Sequence, residues 1–308
     1  MLKFDRIKFV APLQALTSLN EDWWSITLKR GKVTELTFKQ ESPCLIRMKA
    51  NRIEDKLVVE FTGKILKDDY PQLINRNSIR KCLDAINALG VCTLDVEFVI
   101  KNADVTLCDV TTDITINNYA AFKTTIETNI KNLSKWTVKN YGRKNFTIEK
   151  NVKTPKMKRR MSVYDKEEEL HTCTDFLNWV SNPNEIRNHF IQKTRFELNL
   201  RTRNAIKKEL GISACTLMDV LCSDANPHIS FFENLVKSFE PSVSINVNKS
   251  MRLFDKESTL IRLDWQLQPI EMLYRQRYPD SFRNSLLDDY RELLKEHNRT
   301  LMQKIDFH

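Results

Sequence analysis

Apolar residues in the first third of the chain recur at every second position, in short runs. The runs LKFDRIKFV (2–10), WWSITLKR (23–30), KVTELTFKQ (32–40) and CLIRMKA (44–50) set charges between β-branched and aromatic residues. Half-buried antiparallel strands need that alternation, and a meander is the simplest way to connect them. From Lys56 the pattern predicts a strand (KLVVEFTGKIL, 56–66), a helix (SIRKCLDAINALG, 78–90), a strand (CTLDVEFVIKN, 92–102) and another strand (DVTLCDVTTDI, 104–114). In the helix, Ile79, Leu83, Ile86 and Leu89 fall at spacings of three and four, so one apolar stripe must lie on a sheet face, and Gly90 is placed to stop it.

Further on, the pattern predicts a helix through AAFKTTIETNIKNL (120–133) and strands through WTVKNY (136–141), NFTIEK (145–150), RRMSVYDK (159–166) and QKTRFELNLR (192–201). Helices then take over in NAIKKELGI, ACTLMDVLCS and ISFFENLVKSF. A long final helix is expected over about 286–305, where Leu287, Tyr290, Leu293, Leu294, Leu301 and Ile305 form a stripe. The expected fold class is α+β, with antiparallel sheets and packed helices. The expected organisation is an α+β domain over 1–203, divisible into sheet halves 1–116 and 117–203, followed by a helical C-terminal module over 204–308.

Composition narrows the class. The 308 residues are 41% hydrophobic, enough for a core, and five glycines and nine prolines exclude low-complexity or collagen-like structure. Seven cysteines form no C-x-x-C pair, which fits reduced, packed thiols. The charged start MLKFDRIKFVAPLQ lacks a signal peptide's apolar centre, and no stretch approaches eighteen apolar residues, so the expected location is the cytoplasm and no membrane is expected as a partner.

The net charge of +9 points to polyanionic partners, and it is concentrated. Between Lys139 and Lys166, ten basic residues stand against two acidic ones. Lys150, Lys153, Lys156, Lys158, Arg159 and Arg160, with Arg143 and Lys144, form a candidate DNA-binding arm; the alternative is a solvated surface loop. Arg195 and Arg201 are further candidates for DNA contact.

Candidate chemistry lies where charged residues alternate inside strands. Asp109 and Thr111 share a face, as do Arg195, Glu197, Asn199 and Arg201. Two or three such strands side by side would gather carboxylates, and cutting a phosphodiester calls for a divalent cation held by hard oxygen ligands. Asp109, Asp113 and Glu197 are the candidate ligands for magnesium or manganese; the alternative is a set of ion pairs. A tyrosine phenol can attack phosphorus, and because its pKa is near 10 a cation or nearby lysine must assist. Tyr141 and Tyr164 are the candidate nucleophiles, with Lys166 beside the second. Walker, dinucleotide-binding, zincin and nucleophile-elbow motifs are absent, and the five histidines are scattered.

The ordered series CDVTTDI, a basic stretch, RMSVYDKEEEL, then TRFELNLR followed by helices resembles the replication initiators of rolling-circle plasmids and filamentous-type phages that lack a metal-binding histidine pair. These are the Rep-trans and phage replication-initiation families. EFTGKIL and QLINRNSIRKCLDAI resemble their N-terminal half, especially in Bacteroides-type mobile elements, and the likeness covers about residues 1–225. It implies a relaxase-like domain that nicks a double-strand origin through a tyrosine with a divalent metal, and it implies recruitment of a host helicase and polymerase. A homodimer is also expected. Asp109 and Asp113 match the family's acidic strand; Tyr164, Asp165, Lys166 and Glu169 match its YDK segment; Arg195 and Glu197 match its R-x-E. The family's attacking tyrosine precedes the YDK segment, where this chain reads FTIEKNVKTPKMK. That departure leaves Tyr141, in TVKNYGRK, and Tyr164 as alternatives, with origin binding without cutting as a third.

Overall fold

The alternating runs become strands of one sheet. The computed structural model describes residues 1–116, 119–130, 136–141, 145–150 and 159–237, and the chain divides into two compact units, Met1–Thr115 with Lys139–Pro227 and Ile116–Val138 with His228–His308. The sheet strands are β1 (Phe4–Pro12), β3 (Ser25–Lys29), β4 (Lys32–Gln40), β5 (Ile46–Asn51), β6 (Lys56–Thr62), β8 (Asp104–Thr115), β9 (Trp136–Tyr141), β10 (Asn145–Lys150), β11 (Arg160–Asp165) and β12 (Lys193–Leu200). They lie in the order β3-β4-β5-β6-β1-β8-β12-β11-β10-β9, while β2 (Leu16–Leu19) and β7 (Cys92–Leu94) pair separately. Strands from the two expected halves therefore meet at β8 and β12 in the same sheet.

Alternation gives this sheet two chemically distinct faces. Ile7, Phe9, Val59, Phe61, Cys108, Val110, Phe196, Leu198, Met161, Val163, Phe146 and Ile148 are buried on one face, each large side chain contributing about 2 kcal/mol by leaving water. The opposite face carries Glu60, Asp109, Asp113, Arg195, Glu197, Ser162, Tyr164 and Glu149.

The helices of the sheet unit are α1 (Ile79–Asn87), α2 (Val96–Asn102), α4 (Lys166–Thr172), α5 (Thr174–Trp179), α6 (Pro183–His189), α7 (Arg203–Leu210) and α8 (Leu217–Cys222). Segment 92–102, expected to be a strand, is instead the short β7 followed by α2. The Asp95 carboxylate caps that helix by accepting the Phe98 N–H at 2.9 Å, and Glu97 and Lys101 sit at the ends that suit their charges. The strand expected to run through 63–66 ends at Thr62, where a kinked 3-10 series over Gly63–Gln72 begins. In α7 the Thr202 hydroxyl accepts the Ala205 N–H, and Gly211 stops the helix at φ +64°. α7 packs on β8 and β12, and α8 on β8, so the first part of the segment assigned to the C-terminal module folds with the sheet.

In the second unit, Phe122, Ile126 and Ile130 bury one stripe of α3 (Tyr119–Ile130). The Trp136 ring meets Phe231 of α9 (Pro227–Lys237) edge-on at 5.3 Å. The expected helix over 286–305 lies outside the described residues. No helix among them is long and apolar enough to cross a membrane.

Candidate functional site

β8, β12 and β11 lie side by side, and their register decides which polar residues meet. Asp113 stands opposite Arg195, Thr111 opposite Glu197 and Asp109 opposite Asn199. Across the next pairing, Tyr164 stands opposite Arg195 and Ser162 opposite Glu197. Tyr164 of the YDK piece and Arg195 and Glu197 of the R-x-E piece are thus on adjacent strands and share one face.

Arg195 is fully buried. Its Nε and Nη2 donate to the two oxygens of Asp113 at 2.7 and 2.8 Å, and its Nη1 donates to Asp5 Oδ1 at 2.8 Å and to the Tyr70 hydroxyl at 2.6 Å. The Tyr70 and Phe190 rings lie 5.4 and 5.3 Å from the guanidinium, in a cluster with Leu73, Leu170, Phe176 and Ile186. Burial by itself would raise the Asp113 carboxyl, but the charge and hydrogen bonds of Arg195 outweigh it and hold the group below its ordinary value. A register shift between Phe4 and Arg6 in β1 turns Asp5 onto this face, where its N–H donates to Thr111 Oγ1 at 3.1 Å.

One position along, the Tyr164 hydroxyl donates to Glu197 Oε1 at 2.5 Å. Burial, then repulsion from Asp5 and Asp109, pushes the Glu197 carboxyl up to about 8. Burial and the Glu197 charge in turn raise the Tyr164 phenol well above 10. Asn199 Nδ2 donates to Asp109 Oδ1 at 2.8 Å, and burial again raises that carboxyl.

Lys166 opens α4, whose N-terminus Asp165 caps by accepting the Glu168 N–H at 3.1 Å. The Lys166 ammonium is buried, bonded to Glu169, and lies 5.7 Å from the Tyr164 ring centroid and 5.0 Å from that of Tyr70. Burial and the Arg195 charge lower its pKa. Lys64 also reaches Glu169, at 3.1 Å, so two ammonium groups hold the Glu169 carboxyl well below its ordinary range against the opposing effect of burial.

The remaining predicted residues are dispersed. Tyr141 is 48% exposed at the far edge of the sheet, two strands from β11, with the Arg160 guanidinium 5.9 Å from its ring. Arg159 pairs with Glu209 of α7 at 2.5 Å, and Arg160 lies 3.9 Å from Glu149. Lys150 ends β10 half-buried, and Arg201 is exposed just beyond β12. Arg195 is a correction: grouped with the DNA-contacting residues from its sequence, it has no exposed surface and is committed to Asp113, Asp5 and Tyr70. Arg143, Lys144, Lys153, Lys156 and Lys158 lie outside the described residues.

The three candidate metal ligands share a face but engage different partners. Both oxygens of Asp113 are taken by Arg195, whereas Asn199 takes one oxygen of Asp109 and Tyr164 one of Glu197. Among the described residues, no group of three His, Cys, Asp or Glu side chains is placed to hold a metal. Asp109 and Glu197 are diagonal neighbours across β8 and β12, and a magnesium ion can be held by one or two carboxylates together with substrate phosphates.

Asp5 and Tyr70 carried no sequence signal. Asp5 sits inside an ordinary strand pattern, and Tyr70 lies in a segment without periodicity. No protein-family model matches this chain, and neither does a curated protein or a solved structure.

Proposed function

We propose that this protein is a replication initiator of the plasmid or phage type, which binds a double-strand origin and nicks one strand through Tyr164. The observation that carries this reading is the 2.5 Å bond from the Tyr164 hydroxyl to Glu197, on the sheet face that also holds Asp109 and lies beside Lys166. The resemblance of the YDK and R-x-E segments to that family, and the basic residues of 139–166, support the same assignment.

In this mechanism Glu197, once ionised, takes the phenolic proton, and the positive charge of Lys166 favours the resulting phenolate. The phenolate oxygen bonds to phosphorus while the P–O3′ bond breaks. The strand is left with a free 3′ hydroxyl, which takes up a proton, and a 5′ phosphate carried on Tyr164. Asp109 and Glu197 would hold a divalent cation, magnesium or manganese, which when bound offsets charge on the phosphodiester. Lys150, Arg160 and Arg201 contact the sugar-phosphate backbone, and a host polymerase extends the free 3′ end while a host helicase separates the strands.

The test is incubation of the full chain with Mg²⁺ or Mn²⁺ and supercoiled DNA bearing the origin of its own element. A nicked circle with protein on its 5′ end is expected, lost in Tyr164→Phe and kept in Tyr141→Phe. Full activity in the doubly substituted protein removes the proposal.

One set of observations favours a second reading, an origin-binding initiator or DNA-binding regulator that does not cut. The Tyr164 phenol is held well above 10, and Arg195 and Asp113 satisfy each other. This reading expects tight origin binding that is indifferent to chelation of divalent metal, with no nicked product.

A further inference from the structure

A second concentration of positive charge lies at the β3 edge of the sheet, the opposite end of the strand order from β9. β3 and β4 are joined by Arg30 and Gly31, both at positive φ, 51° and 74°, the geometry that two-residue hairpins favour. Holding arginine there costs about 1 kcal/mol relative to glycine. Lys29 and Lys32 stand directly opposite each other across the hairpin, a like-charge pair that destabilises it further. Arg52, whose N–H donates to the Thr34 carbonyl at 3.0 Å, adds a fourth cation. With Thr34 and Ile53, these residues line a groove of about 510 Å³.

Neighbouring cations on β4, β5 and β6 are neutralised. Lys39 pairs with Glu41 at 2.8 Å, Lys49 with Glu35, and Lys56 with Glu54 at 3.1 Å. Among the described residues, Lys29, Arg30, Lys32 and Arg52 have no such partner. Four unneutralised cations around one groove, placed at a cost to the hairpin, are complementary to closely spaced fixed anions.

We propose that the β3–β4 hairpin is a second DNA-contacting element, which enters a groove of duplex DNA and sets these four cations against phosphates. The inference rests on the reading of this protein as DNA-binding. A two-stranded ribbon is of a size that the major groove admits. β3 and β9 are the two ends of the strand order, so nine strand spacings, roughly 43 Å along the sheet, separate the hairpin from β9.

The deciding measurement is duplex binding by fluorescence anisotropy across a salt series, using the full chain and a duplex of about 30 base pairs, longer than the sheet is wide at 3.4 Å per base pair. The groove variant is Lys29→Ala/Lys32→Ala/Arg52→Ala, and Lys39→Ala/Lys49→Ala/Lys56→Ala is its charge-matched control. The groove variant is expected to bind about 500-fold more weakly near 0.1 M salt, with a salt slope shallower by about 2.7, and the control is expected to change little. A groove variant that binds as tightly as the unaltered chain, or loses no more than the control, overturns the inference while leaving the nicking assay unaffected. Loss confined to phosphatidylserine vesicles, with DNA affinity intact, assigns the groove to a membrane surface and overturns it as well. A groove effect on binding without nicking by the unaltered chain would sink the Tyr164 mechanism alone.

Discussion

Arg195 and Asp113 face each other across β12 and β8 and are joined by two parallel hydrogen bonds of 2.7 and 2.8 Å, with the guanidinium sealed from solvent. A forked pair of this kind is specific in geometry, and removing one partner strands a buried charge. Arg195→Leu is expected to lower unfolding free energy by about 3–5 kcal/mol, and Asp113→Leu by a comparable amount. The double variant should lose less than the sum. Urea denaturation of the three proteins checks this, and strict additivity would show that the pair is not coupled.

Tyr164→Phe removes one hydroxyl from the same face. Its structural cost is about 1 kcal/mol, that of a single hydrogen bond, so the variant should fold and bind duplex DNA while forming no covalent 5′ adduct. Tyr141, exposed and apart from the carboxylates, should tolerate the same change in both assays. Denaturing gels that separate protein-linked from free strands distinguish the two.

Glu197 gives a pH signature with a definite sign. Its ordinary value is 4.5, and in the folded chain it is about 8. Between those values the native state keeps a proton that the unfolded state has released, so stability falls as pH rises through the window and levels off above it. Glu197→Gln should flatten that fall in thermal melts taken between about pH 5 and 8. An unchanged slope would place its cause elsewhere. The nicking rate of the unaltered chain should rise across the same upper limit, as Glu197 becomes able to accept the phenolic proton.

Asp165 belongs to the YDK segment, yet its carboxylate caps α4 by accepting the Glu168 N–H. Asp165→Ala should therefore cost about 1 kcal/mol, and Asp165→Asn or Asp165→Ser should restore much of it. Chemical denaturation of the three variants separates capping from a role in charge, because a charge requirement would leave Asn and Ser as damaging as Ala.

The strands were legible because apolar and charged residues in β1, β4, β8 and β12 keep a two-residue period. The same period anticipated that Asp109 and Thr111 share a face, as do Arg195, Glu197 and Asn199. Segment 96–102 misled because V-E-F-V-I satisfies strand and helix periods alike, and the Asp95 cap decides for the helix. The partners of Arg195 were invisible for a different reason. Asp5 and Tyr70 lie 190 and 125 residues away along the chain, and only the tertiary fold brings them together. Spacing could not show which tyrosine lies near the acidic strands either; the register sets Tyr164, not Tyr141, beside Glu197.

Among the described residues β12 is the last strand of the sheet in sequence, yet it is inserted between β8 and β11. Until it arrives, the strands on either side each present an open edge of unpaired amides and carbonyls, the kind of surface that invites association with another chain. Closure of that seam should thus be the late event in maturation. A ribosome-bound or truncated chain ending before residue 193 would be the species most in need of chaperone protection.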